Sequence, residues 1–347
     1  MKIDSVKASF PSKTVSNEEV VDLIRFNSSK EFEGDIEKTL RKIKVVLKKT
    51  GIENRVWLDK GKEKPIDHVI NASEKAIKEA GIDKREIDLL IYVGIGRGFL
   101  EPGNSYPVAQ ALGLKKARCF DVIDACMSWS AAMQIADNFL KMGSYQKIMI
   151  VNAEFTVNSG PLMRNFKIQK ESQLSWTFPT YTVGEASSAT ILSKDDNNEF
   201  IFNFSSRPDL ADLCTIPTDE YDDYCTMPEE GNENGPFHFT SRGKELHDHA
   251  RIEAPKIFNK LISETNSDID VIFTHASSKH EWTEYGKIVG FDKKIYHIYH
   301  NTGNLVSASV PCAMSLARDD NKLTRGDNVV AWVGSAGMSF CANKFKF

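Results

Sequence analysis

From Asp67 to Ile82 the apolar positions Val69, Ala72, Ala76, Ile77 and Ala80 recur at helical spacing and stop at Gly81. The run IDLLIYVGIG follows, of strand length and ending in glycines. The unit then repeats: ARCFDVID reads as a strand, CMSWSAAMQIADNFLKMG as a helix closed by Gly143, and KIMIVNAE as a buried strand. Further upstream, Ser16 and Glu19 have the spacing of a capping box ahead of an apolar helical face. After an irregular stretch from Phe155 to Thr182, SSATILSK supplies one more strand. Helix and strand in alternation predict a mostly parallel or mixed sheet with helices on both faces.

The second half has the same cadence. Polar residues around 196 mark a seam, followed by a helix in KELHDHARIEAPKIFNKLI, a strand in VIFTHASS, a helix in VSASVPCAMSLARD and a strand, glycine turn and strand in NVVAWVGSAGMSFCANKFKF. Two α/β lobes, residues 1–195 and 196–347, related by an approximate internal repeat, are therefore expected. Between them, Asp219 to Glu233 holds seven acids and no Lys or Arg, which reads as a solvated loop; a metal site built from these acids with Cys225 lacks a ligand spacing.

Composition narrows the function classes. With 347 residues the chain can bury a large core, and a net charge of −4 gives no field for collecting nucleic acid or an anionic membrane. No apolar run approaches the roughly 20 residues of a membrane span, and MKIDSVKASF lacks a signal-peptide pattern, so a cytoplasmic protein is expected. The six cysteines form no CxxC pair, which argues against a disulfide or zinc scaffold. The glycines Gly94, Gly96 and Gly98 follow a strand but meet Phe99 and Pro102 instead of a helix, so a dinucleotide fingerprint fails. His247 and His249, two apart on a helix, cannot share a metal ion.

The chemistry concentrates at Cys126. It stands where a buried strand gives way to a helix, a position at which helix dipole and outward N–H groups favour thiolate over thiol. Asp124, two residues earlier, would oppose that unless paired. His275 closes the apolar strand from Val271, and Asn304 follows a glycine just ahead of a helix. Singly, these two are the kind of residues that serve as a structural histidine and a turn residue; with Cys126 they make a Cys, His and Asn set on three separate loops.

At these residues the sequence resembles β-ketoacyl-acyl-carrier-protein synthase III and its thiolase-fold relatives. FDVIDAC, KMGSYQKIMIVNAE, GEASSATIL, FTHASS, GNLVSASVPCAM and VGSAGMSF occur in the family's order over nearly the whole chain. The resemblance implies a thiolase-like fold of two pseudo-repeated lobes in α-β-α-β-α layers. It makes Cys126 the acyl-accepting nucleophile, with the oxyanion held by backbone N–H groups of Cys126, Ala336 and Gly337. His275 and Asn304 become two neutral hydrogen-bond donors to the thioester oxygen of a decarboxylating malonyl group. Asn301 is the rival for the amide role. Substrates would be coenzyme A or acyl-carrier-protein thioesters with no tightly bound cofactor and no metal, and the enzyme would be a homodimer joined through central strands of the N-terminal lobe.

Three positions depart from the family pattern. Val45 stands where a coenzyme A-stacking Trp is common, and Asp248 and His280 replace the Lys and Arg that dock an acidic carrier. The interval from Glu154 to Gly184 is long, and Leu162, Met163, Phe166, Trp176, Phe178 and Tyr181 are candidates for lining an acyl pocket. Alternatives on the same fold are acyl transfer to an amine or hydroxyl and a non-decarboxylative condensation. A non-catalytic subunit is the alternative of another class.

Overall fold

The structure is a computed structural model that describes residues 1–157, 162–224, 235–265 and 268–347. The chain opens with β1 (Lys2–Ser9), and the pair β2 (Lys13–Ser16) and β3 (Asn54–Trp57) brackets helices α1 (Asn17–Ser28) and α2 (Ile36–Thr50). Next, α3 (Pro65–Ala80) leads into β4 (Leu89–Val93), α4 (Ser105–Leu112) into β5 (Arg118–Val122), and α5 (Ser128–Met142) into β6 (Lys147–Glu154). Short helical turns, including α6 (Leu174–Thr177), precede β7 (Ala186–Ser193). The second half runs β8 (Ile201–Ser206), the small pair β9 (Cys214–Thr215) and β10 (Thr240–Ser241), α7 (Gly243–Glu264) and β11 (Val271–Thr274). It continues with α8 (Lys279–Val289), α9 (Tyr299–Thr302), α10 (Ser309–Asp319), β12 (Asn328–Ser335) and β13 (Ser339–Lys346).

Local chemistry accounts for these boundaries. Ser16 accepts from the Glu19 N–H while the Glu19 carboxylate accepts from Ser16, the capping box expected at the start of α1. Helices α3 and α5 end at Gly81 and Gly143 in left-handed conformation. Strands β1 and β8 and helix α8 are among the elements that local periodicity does not announce. Strand β1 has only Ile3, Val6 and Ala8 as apolar buried residues, with a register shift between Ile3 and Ser5; β8 and α8 likewise emerge only through their tertiary partners.

The internal repeat is plain in the sheets. The first has the order β1-β7-β6-β4-β5, antiparallel across its first two pairings and parallel across the last two. The second has the order β8-β13-β12-β11, again antiparallel twice and then parallel, and Ile295 bridges in parallel to Ile272 at the place of a fifth strand. Three apolar clusters fill the spaces between five layers. One lies under α3 and α4, one between the two sheets around α5 and α10, and one under α7 and α8. The first turns of the central helices are buried, Ser128 to Ser130 of α5 and Ser309 to Ser315 of α10, so side chains at their N-termini must find partners within the protein.

A backbone seam between the halves fixes the last loop of the site. Asn304 N–H donates to the Thr182 carbonyl at 2.8 Å and Gly184 N–H to the Asn304 carbonyl at 2.9 Å. The approach requires glycine: a Cβ on Gly184 would sit 1.9 Å from the Thr302 carbonyl oxygen, and one on Gly303, at φ +73°, would sit 2.6 Å from that of Thr182. Gly184→Ala is expected to lower unfolding free energy by about 1–3 kcal/mol, the usual cost of forced overpacking. Urea unfolding measures this, and an unchanged midpoint would mean that the seam is looser than described.

Candidate active site

Beyond β5 the chain turns sharply. Ala125 adopts φ +43°, a left-handed conformation unusual for a residue with a Cβ, and Ala125–Met127 forms a single helical turn before α5 begins. The turn is tied inward. The Ser128 hydroxyl donates to the Ala125 carbonyl at 2.7 Å and accepts from the Asp124 N–H at 2.8 Å. From the end of β12, the Ser335 hydroxyl accepts from the Met127 N–H at 3.2 Å and donates to the Asp124 carbonyl at 3.3 Å. Cys126 is thus held from both halves. The N–H groups of Ala336 and Gly337, in the turn that follows Ser335, have no protein acceptor among the described residues.

The same construction recurs ahead of α10. Val306 takes φ +50°, Val306–Ala308 forms one helical turn, and the Ser309 hydroxyl donates to the Val306 carbonyl at 2.8 Å. By this correspondence Ser307 is the structural counterpart of Cys126. The second elbow carries the other two candidate residues. Val306 N–H donates to Asn304 Oδ1 at 2.8 Å, so the Nδ2 end of the amide is left for the cavity that Asn304 lines. His275, one residue past β11, has Nδ1 3.3 Å from Ser309 Oγ. The Ser309 hydroxyl also meets the Val306 carbonyl at 2.8 Å, so a neutral ring with its proton on Nδ1 would present Nε2 as an acceptor. Asn304 thus keeps an amide donor for the cavity, and His275 can serve there as donor or acceptor according to its tautomer.

Cys126, His275 and Asn304 line one cavity of about 1050 Å³. Asn301 is exposed on α9 and lies outside it. Ala336 and Met338 are on its wall, whereas Gly337 between them is not. Of the candidates in the long interval, Leu162 and Phe178 line the cavity, joined by Leu174 and Pro179; Phe166, Tyr181 and Trp176 are buried in packing, and Met163 leans on the core. At the walls formed by α2, α7 and α8 stand Lys42, Lys49, Lys244 and His280. Val45 is exposed, and Asp248 is exposed in an ion pair with Lys244 at 2.7 Å. Sequence patterns did not single out Cys214, which also lines the cavity, or the hydroxyls of Ser128, Ser309 and Ser335. Of the acidic cluster, Cys225, Glu229, Glu230 and Glu233 lie outside the described residues.

Electrostatics overturn one expectation. The Cys126 thiol is held well above its usual range, first by burial and then by Cys214, Glu154 and Asp124, with only the Ser335 hydroxyl working the other way. Cys126 is half-buried at the cavity wall, and the protein packed around it strips hydration that a thiolate would need. Burial likewise pushes Asp124 up. His275 is lowered to about 4, by burial and by His247, so it is neutral at pH 7. The resting pair is therefore a neutral thiol and a neutral imidazole.

A family model described as 3-Oxoacyl-[acyl-carrier-protein (ACP)] synthase III matches residues 120–209, and its C-terminal counterpart matches residues 263–347. Among curated relatives, the β-ketoacyl-acyl-carrier-protein synthase III of Aliarcobacter butzleri is 28% identical over 312 residues, covering 87% of this chain and 89% of its own. That of Clostridium tetani is 26% identical, covering 86% and 88%. Among solved structures, Xanthomonas campestris OleA with bound lauric acid and lauroyl-CoA superposes with a TM-score of 0.81 at 19% identity, covering 99% of this chain and 98% of that one. The Aquifex aeolicus synthase III gives 0.78 at 18%, covering 100% and 99%. These structures share the fold.

If Cys126 rests as a thiol, its alkylation by iodoacetamide, followed by intact mass, climbs with pH beyond pH 9. A plateau reached below pH 8 would show a thiolate already formed.

Proposed function

The chain belongs to the 3-oxoacyl-acyl-carrier-protein synthase III family, and we propose that it is a condensing enzyme acting through an acyl-Cys126 intermediate. The observation that carries this reading is the convergence of Cys126, His275 and Asn304, from three separate segments, on one cavity wall. In the first half-reaction the Cys126 sulfur attacks an acyl thioester as its proton moves to His275 Nε2. The tetrahedral oxyanion is held by backbone N–H groups at Cys126 and in the Ala336–Gly337 turn, and collapse expels the carrier thiol, which recovers the proton. A neutral base suits this step, because the proton leaves the thiol only as the S–C bond forms.

In the second half-reaction a malonyl thioester loses CO2, and the electron pair of the broken C–C bond becomes an enolate whose oxygen accepts from Asn304 Nδ2. The enolate carbon attacks the acyl carbonyl. Cys126 departs as thiolate and takes a proton from solvent. A fixed amide donor serves here at any pH, since it cannot titrate. We assign the sulfur to an N-terminal lobe, residues 1–195, and His275 with Asn304 to a C-terminal lobe, residues 196–347. The five described cysteines are free thiols, which agrees with a reducing, cytoplasmic setting. A non-decarboxylative condensation of two acyl thioesters is the second reading, favoured by a cavity at the upper end of the ~300–1000 Å³ usual for small ligands.

We also propose a homodimer closed across β5. That strand is a sheet edge, and exposed apolar side chains flank it: Ile123 at 59%, Leu100 at 82% and Phe99 at 52% exposure. Pairing two such edges would make β5 central in one continuous sheet. Light scattering should give a dimer for the wild type and a monomer for Ile123→Lys combined with Leu100→Asp; a monomeric wild type would reject the assignment.

For the chemistry, intact mass after mixing with acyl thioesters should show one adduct on wild type and none on Cys126→Ala. An adduct of undiminished yield in Cys126→Ala rejects the covalent route. Asn304→Asp should still load but condense at least about a hundredfold more slowly, the scale of losing one oxyanion donor; unchanged condensation would remove Asn304 from the reaction.

A further inference from the structure

Glu154 is used by neither half-reaction, yet it is completely buried directly behind the second elbow. It ends β6, and its two carboxylate oxygens face different segments. Oε1 accepts from the Ser307 N–H at 3.3 Å and from the Ser307 hydroxyl. Oε2 accepts from the N–H groups of Gly96 at 3.2 Å and Ile95 at 3.3 Å, in the loop after β4. Asn152, two residues earlier on the same face of β6, donates from Nδ2 to Ser307 Oγ at 2.9 Å and accepts from Ser188 Oγ at 3.1 Å. Among the described residues no Lys, Arg or His pairs with the Glu154 carboxylate.

We infer that Glu154 is a positioning residue, which acts through Ser307 to tie the Val306–Ser309 elbow to β6 and so fixes the two groups that the elbow carries. The geometry supports a strut. Asn304 is oriented by the Val306 N–H, and His275 is oriented by Ser309, whose own hydroxyl is oriented by the Val306 carbonyl. All three links run through a stretch held at φ +50°, a conformation that persists only when surrounding bonds over-determine it. Ser307, the residue matching Cys126 in the internal repeat, supplies those bonds with its N–H and hydroxyl. The strut also carries a charge. Burial without a cation raises the Glu154 carboxyl to about 7, and in its ionised form it opposes a second negative charge on Cys126.

The condensation arm of the test rests on the proposed function; the thiol arm does not. Glu154→Gln, Glu154→Asp and Ser307→Ala are compared with wild type for three rates: iodoacetamide alkylation of Cys126 from pH 6 to 9, acyl loading, and condensation per loaded enzyme. Glu154→Gln should alkylate about three- to tenfold faster at pH 8, up to one unit of thiol shift. Glu154→Asp keeps a carboxylate and should keep the wild-type alkylation profile, whereas Ser307→Ala removes the hydroxyl that holds the Glu154 carboxyl down and should shift the profile towards that of Glu154→Gln. All three should condense at least tenfold more slowly per loaded enzyme while loading falls less. Should Glu154→Gln fail to fold, Ser307→Ala decides the positioning claim by that ratio. Folded variants whose alkylation profile and condensation-to-loading ratio match wild type would overturn the inference. A wild type that loads without condensing would instead count against the proposed function, leaving the alkylation comparison to judge Glu154.

Discussion

Two strained elbows set the geometry of this molecule. Ala125 and Val306 are both forced to positive φ, at a cost of about 1–3 kcal/mol each, and a β-branched valine is a costly residue to place there. Each elbow is held by a serine hydroxyl three residues on that returns to its carbonyl. Each also stands at the N-terminus of a helix buried between the two sheets. Cys126 on one elbow shares a cavity with the histidine and amide organised by the other only if both turns keep their shape. The rest of the fold can be read as their support. The Thr182–Gly184 seam pins Asn304, Ser335 clamps the first elbow from β12, and Glu154 with Asn152 backs the second from β6.

Burial has an electrostatic consequence. Enclosing the sulfur raises the thiol, and enclosing the imidazole lowers it, so the ground state holds no ion pair. In the proposed reaction charge appears only while a carbon is under attack, where the turn at Ala336 and the amide of Asn304 line the same cavity. Fixed dipoles in a low-dielectric site are worth more than the same groups in water, which favours a site built from amides and hydroxyls.

Much of this architecture is legible in the sequence, for physical reasons. Long apolar strands such as Ile148–Val151 and helices ended by glycine have local signals strong enough to survive tertiary context. The residues ending those strands, Cys126 after β5 and His275 after β11, stand out because polar groups there interrupt apolar runs. What stayed hidden depends on contacts distant in sequence. Strand β1 is specified by β7, nearly two hundred residues away, and the role of Ser335 depends on Asp124 across the interface of the halves. Glu154 is visible as a polar end to an apolar run, but nothing local says that its partners are Ile95, Gly96 and Ser307. The thiol expectation missed for a related reason: a strand-to-helix position can be inferred from sequence, whereas the desolvation of the sulfur cannot.

The central claim is that one sulfur carries the acyl group and passes it to carbon with loss of CO2. A single-turnover experiment isolates it: load Cys126, remove excess donor, add malonyl thioester labelled with ¹³C in its free carboxyl, and follow acyl-enzyme and ¹³CO2 together. The account predicts one ¹³CO2 for each acyl group leaving Cys126, with a 3-ketoacyl thioester as product. Acyl loss to water, an amine or a second acyl thioester without matching ¹³CO2 would contradict it.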